Sequence, residues 1–147
     1  MKINIVLTLC VLLLFKNSAV SVQPIKFNHV FSSNHTGYIT AMTQDEKGYF
    51  WFTVQHKGLL RYDGSEFKTY APDPKDPNSL MSKDVECLFI DTDNTLWIGF
   101  FGSGLDRFDP IADTFTHFRH DQKDNLSLIN DTVTTVLKDH LGSCSRH

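Results

Sequence analysis

Apolar residues in this chain fall into short runs separated by turn-forming residues, and the runs recur. In the stretch after residue 37 they occupy about 38–43, 49–54, 59–62 and 66–70. Between them lie Asp45-Glu46-Lys47-Gly48, Gln55-His56-Lys57-Gly58 and Asp63-Gly64-Ser65, each carrying the Gly or Asp that a hairpin turn requires. The same order returns further along. Residues 39–52 align with 85–98, with Asp45 six residues before Trp51 and Asp91 six before Trp97. At the same offset of 46, Gly58, Leu59, Arg61, Tyr62 and Asp63 meet Gly104, Leu105, Arg107, Phe108 and Asp109. Pro110-Ile111 lengthens the second copy by two, after which Phe67, Tyr70, Ser79 and Leu80 meet Phe115, Phe118, Ser127 and Leu128. A third copy starts at Val133 and loses the pattern after Gly142, with Ser145 where the earlier copies predict tryptophan.

Four strands in a unit of ~45 residues is the arithmetic of a β-propeller blade. The second run of each copy, Tyr49-Phe50-Trp51-Phe52 and Leu96-Trp97-Ile98, is apolar at consecutive positions, so that strand must be covered on both faces, as it is between neighbouring blades. The polar links 71–79 and 119–127 read as crossings from the outer strand of one blade to the inner strand of the next. The expected fold class is therefore all-β: an incomplete β-propeller with two four-stranded antiparallel blades plus the first strand of a third. A small meander or sandwich made of two hairpin pairs is the alternative. The expected boundaries are a signal peptide at 1–21, a lead-in at 22–37, blades at 38–82 and 83–130, and the truncated start of a third at 131–147.

The N-terminus bears on location. Lys2 precedes eleven largely apolar residues, 5–15, too few to span a bilayer, which takes about 20. Ala19-Val20-Ser21 then supplies the small residues of a signal-peptidase site, so export with cleavage after Ser21 is expected. Cleavage removes Lys2 and Lys16 and no acid, leaving 12 basic against 17 acidic residues, a formal charge of −5. Such a segment has no electrostatic reason to seek nucleic acid or anionic lipid. Of the three cysteines, Cys10 goes with the signal and Cys87 lies in an apolar run, where a buried inert thiol is expected.

The sequence Asp91 to Gly99 followed by Gly102 to Asp109 resembles the two-component regulator propeller repeat, Asp-x-x-Gly-x-Leu-Trp-Ile-Gly then Gly-Gly-Leu-x-Arg-Phe-Asp. Asn94 and Ser103 depart from it in the second copy, and Phe52-Thr53 and Lys57 in the first. The resemblance covers about residues 28–142. It implies the exported, periplasmic sensor region of a hybrid two-component histidine kinase, or of a diguanylate cyclase. The partners it implies are a small-molecule or oligosaccharide ligand and the rest of the same sensor chain; the segment itself would not touch the membrane once the signal is cleaved. Two blades and a strand do not close a ring of four to eight blades, so the chain reads as the first part of a longer sensor, ended by truncation or a frameshift.

Most motif residues read as structural. Trp51 and Trp97 belong in the core, Arg61 and Arg107 are expected to pair with carboxylates or loop carbonyls, and Asp63 and Asp109 open turns. Asp45, Asp91, Gly58 and Gly104 complete this repeated set. Residues that differ between copies are better ligand candidates, and His56, Lys57 and Phe101, on the face formed by the second-to-third strand turns and the inter-blade links, are the three chosen. Seven histidines raise the question of a metal, but His117 and His120, the only close pair, point to opposite faces of a strand. The turn 91–94 begins like a calcium loop without its glycine or final glutamate. No nucleophile elbow or phosphate loop is present, and no metal or cofactor is expected. These readings favour a binding module over a secreted propeller enzyme acting on polysaccharide, which needs paired carboxylates in one cavity.

Overall fold

The computed structural model describes residues 37–138 and the backbone of 144–146; the expected signal peptide and nearly all of the lead-in lie outside them. Strands β1 (Ile39–Gln44), β2 (Phe50–Val54), β3 (Gly58–Tyr62) and β4 (Phe67–Tyr70) pair antiparallel in the order β1-β2-β3-β4. Strands β5 (Val85–Ile90), β6 (Leu96–Phe100), β7 (Leu105–Asp109) and β8 (Thr114–Phe118) repeat that meander. The third copy, expected to contribute one strand, contributes β9 (Val136–Lys138) and, paired antiparallel with it, β10 (Cys144–Arg146). The all-β, partial-propeller architecture read from the period is the observed one.

The repetition extends to irregularities. Both first strands carry a register shift at the same place, between Ile39 and Ala41 and between Val85 and Cys87. In the first sheet Thr53 uses that site, its hydroxyl lying 2.6 Å from that of Thr40 and accepting from the Ala41 N–H at 2.7 Å. In the second sheet Gly99 takes the equivalent place, where a Cβ would stand 2.5 Å from the Cys87 sulfur and 2.8 Å from the Val133 carbonyl. The departure of Thr53 from the repeat's glycine thus reflects a different neighbour on that face.

The blades stack through two-sided strands. Trp51, Leu59 and Tyr70 of the first sheet, with Leu80 and Val85, pack on Leu96, Ile98, Phe100, Phe108 and Phe115 of the second. Trp51 meets Phe108 edge-on at 5.0 Å between ring centroids, and Tyr70 meets Phe108 and Phe115 at 5.5 and 5.6 Å. Edge-to-face contacts of this kind add about 0.5–1.5 kcal/mol beyond the area they bury. One repeat later, Leu105, Leu128, Val133 and Val136 form the next cluster, flanked by Trp97 and Phe118. Polar contacts fix the outer rim: Asp113 accepts from the Tyr70 hydroxyl at 2.8 Å and pairs with the Lys68 ammonium, and the Phe115 N–H donates to the Asn78 carbonyl at 2.8 Å.

The inter-blade links are ordered by their own carboxylates. Asp73 accepts from the Lys75 N–H and Asp76 from the Asn78 N–H, while the Ser79 hydroxyl accepts from the Asp73 N–H. Asp121, Asp124 and Ser127 do the same in the second link. Gly58 opens β3 and Gly104 leads the chain into β7, with φ of 92° and 96°. A Cβ on Gly104 would stand 2.3 Å from the Phe118 carbonyl oxygen. Gly104→Ala is therefore expected to lose about 2 kcal/mol or more of stability, read as a lower midpoint in urea, because left-handed strain and a backbone clash add.

Candidate functional site

The repeated acids are consumed by turns. Asp45 accepts at Oδ1 from the Lys47 and Tyr49 N–H groups at 3.0 and 2.9 Å, and at Oδ2 from the Trp51 indole N–H at 2.9 Å. Asp91 repeats this with Asp93 and Thr95, both at 2.9 Å, and with the Trp97 indole at 3.1 Å. The six-residue spacing thus has a physical reason: one carboxylate closes the hairpin turn and anchors the core tryptophan two residues into the next strand. Asp63 accepts from the Glu66 and Ser65 N–H groups and the Ser65 hydroxyl, all at 2.8 Å, which hold its carboxyl down at about 2. Asp109 is held low in the same way by Ala112 and Ile111. Carboxylates so placed stay ionised and are poor proton donors at neutral pH.

The arginines behave differently from the sequence expectation. Neither Arg61 nor Arg107 forms an ion pair among the described residues. Register places Arg61 directly opposite Trp51, and its guanidinium lies over the Tyr49 ring at 4.9 Å and the Trp51 ring at 5.7 Å. The nearby motif aspartate, Asp63, is satisfied by its own turn, as expected of a residue that opens one.

At the opposite end of the strands a crevice of about 220 Å³ opens between the blades. His56 and Phe101 both line it, together with Gln55, Lys83, Asp84 and Glu86; Lys57 does not line it. His56 sits in the β2–β3 turn with φ of 59°, which aims its ring towards the next blade. Its Nδ1 lies 3.3 Å from Oδ1 of Asp84, both side chains being mostly exposed, so the contact contributes little to stability. The Asp84 carbonyl accepts from the Phe101 N–H at 3.2 Å, tying the start of β5 to the 101–103 turn and fixing the wall on which Phe101 stands 68% exposed. Lys83, Asp84 and Glu86 correspond to Asp131, Thr132 and Thr134 one repeat later. The contrast between copies that singled out His56 and Phe101 would have found Asp84 and Glu86 as well.

His117 and His120 serve separate partners. His117 lies between the Asp106 carboxylate and the Pro77 carbonyl, whereas His120 lies 2.6 Å from the Leu128 carbonyl. Among the described residues no group of three His, Cys, Asp or Glu side chains is arranged to hold a metal ion. Cys87 is half-buried beneath Val133, and burial pushes its thiol up, away from reactivity.

No protein-family model matches the chain, and no curated protein matches it. Solved structures do. The chain is 24% identical, with a TM-score of 0.65, to the extracellular domain of the hybrid two-component system BT3049 from B. thetaiotaomicron, over 72% of this chain and 15% of that one. It is 20% identical, with a TM-score of 0.60, to the extracellular domain of BT4673 from the same organism, over 75% of this chain and 15% of that one. The chain thus spans about one seventh of the length of these structures, and the likeness is one of fold.

Proposed function

We propose that this chain forms part of the exported, ligand-sensing propeller of a membrane signalling protein, of the hybrid two-component type, with a histidine kinase as the output of its parent. The fold likeness to extracellular domains of hybrid two-component systems carries this reading. The leader-like N-terminus supports export to the periplasmic side. The crevice at the β2–β3 end supports the recognition role: it combines an exposed aromatic face at Phe101 with hydrogen-bonding and charged groups at Gln55, His56, Lys83, Asp84 and Glu86. An apolar platform rimmed by convergent polar groups is the usual make-up of a small-ligand site, and an oligosaccharide offers both a flat C–H face and hydroxyls to it. In this reading the segment binds and does no chemistry of its own.

The test is a titration of the whole exported chain with a panel of oligosaccharides by thermal shift and calorimetry. A saturable shift is expected with at least one of them. His56→Ala and Phe101→Ala should each weaken that ligand about tenfold or more, as removal of a polar anchor or an aromatic platform does, while leaving the melting temperature without ligand within about 2 °C. Absence of any shift across the panel would count against glycan sensing.

A further inference from the structure

A second crevice lies at the other end of the strands, between the β1–β2 turn of the first blade and the β5–β6 turn of the second. It holds about 150 Å³ and is walled by Trp51, Leu96, Phe108 and Pro110. Its rim is cationic and amide-bearing: Lys47, Arg61 and Asn94. Among the described residues Asp45 is the one carboxylate lining it, and that group already receives two backbone N–H bonds and the Trp51 indole.

Two features set this crevice apart from a mere seam. The first is Arg61. Its five N–H donors have no hydrogen-bonded or ion-paired acceptor among the described residues, yet the side chain is half-buried, with the guanidinium carbon over the Tyr49 ring at 4.9 Å and the Trp51 ring at 5.7 Å. A planar donor fork held over two aromatic rings is preorganised for a two-oxygen anion. Asp113, an acid across the blade boundary that feels the Arg61 charge, is occupied by Lys68 and Tyr70. The second is Asn94. The first copy has Gly48 at this position with φ of 84°, and Asn94 adopts φ of 58° in its place. Its side-chain oxygen reaches across the boundary to accept from the Glu46 N–H at 3.0 Å, which leaves its amide N–H₂ at the crevice. A side chain here is therefore particular to this junction, whereas a glycine would suffice for the turn.

The geometry points to a binding site for a small carboxylate with a short apolar stem, its oxygens on the Arg61 fork near Asn94 and its stem between Trp51, Leu96 and Phe108. The size fits, since a cavity of about 150 Å³ accepts a ligand of roughly six heavy atoms. The site is distinct from the His56–Phe101 crevice, at the opposite end of the same sheets, and does not depend on the sensing role proposed for that one.

Sodium butyrate is the probe and butyramide its uncharged isostere, titrated against the full exported chain with backbone amide NMR as the readout. Butyrate should shift signals of 45–51, 61, 94–96, 108 and 109 saturably, with a Kd on the order of 1–10 mM for so small a ligand. Butyramide should shift them at least about tenfold more weakly. Arg61→Gln should reduce butyrate affinity about tenfold, and Arg61→Lys, which keeps the charge without the fork, should fall between. Butyramide binding as well as butyrate, no saturable response to butyrate, or unchanged affinity in Arg61→Gln would each overturn the proposal. The isostere comparison uses the unsubstituted protein, so a variant that fails to fold leaves it decisive. Signals around His56 and Phe101 should stay unmoved by butyrate, so failure here and failure of the oligosaccharide titration are separate results.

Discussion

Trp51→Ala is expected to lower the free energy of unfolding by about 3–5 kcal/mol, the range for a fully buried large aromatic, and Trp97→Ala by about half as much. The two tryptophans occupy the same repeat position, so intrinsic propensity is matched and only the surroundings differ. Trp51 is 2% exposed, with Phe108 meeting it edge-on at 5.0 Å and Tyr70 stacked on it at 5.7 Å. Its removal opens a cavity at the centre of the blade-to-blade contact, takes away a ring that Arg61 lies over and leaves Oδ2 of Asp45 without its indole donor. Trp97 is only half-buried, facing Phe118 at 5.7 Å and the short β9 segment. Urea unfolding followed by far-UV circular dichroism measures both changes with a signal neither substitution removes. Equal losses would mean that the third-blade residues cover Trp97 as fully as the second blade covers Trp51.

That contrast also shows which parts of the structure were legible in the sequence. Strand positions were, because each run of apolar residues is ended by a turn whose chemistry is local: Asp63-Gly64, or Asp45 with a glycine three residues on. The two-sided burial of β2 and β6 was legible from consecutive apolar residues, where a half-exposed strand would alternate. What the repeat hides is which of its polar residues meet. Arg61 and Asp63 stand two apart and invite an ion pair, yet Asp63 turns back to its own turn amides, and the cross-strand register sets Arg61 against Trp51. On the candidate face, the contrast between copies located His56 and Phe101, and Asp84 and Glu86, which stand where the next repeat has Thr132 and Thr134, carry the same signal. Asp106 was overlooked altogether, although it is an acid in the slot where the first copy carries Leu60, and a charge in a core position signals a specific partner.

That partner gives the second large effect: Asp106→Ala is expected to cost about 3–5 kcal/mol, and Asp106→Leu combined with His117→Thr far less. Asp106 is fully buried, with Oδ1 at 2.5 Å from Nδ1 of His117 and Oδ2 accepting from the Met81 N–H at 2.9 Å. The other imidazole nitrogen, Nε2, lies 2.8 Å from the Pro77 carbonyl. A carbonyl only accepts, so Nε2 carries a hydrogen, and the contact with the carboxylate shares a second. The pair staples the link between the blades, through Pro77 and Met81, to β7 and β8. Removing one partner strands a buried polar group, whereas replacing both with the residue types of the first blade, which has Leu60 and Thr69 there, restores an apolar fit, as is found for buried ion pairs generally.

The same arrangement fixes the sign of a pH effect. Burial disfavours the charged imidazole, but the bond to Asp106 and the Pro77 carbonyl outweigh it, with Arg119 opposing weakly, and His117 is raised above its ordinary 6.5. Burial also raises the Asp106 carboxyl, an effect that the His117 and Met81 bonds partly offset. Both groups hold protons more tightly folded than unfolded, so stability falls as pH rises. The His117 contribution is complete below pH 6.5 and is lost as pH climbs through the raised folded value. Urea midpoints taken from about pH 5.5 to about pH 9 should therefore decline on the alkaline side in the unsubstituted chain. The double substitution Asp106→Leu with His117→Thr should flatten that decline; an equal slope in both proteins would locate the titrating proton elsewhere.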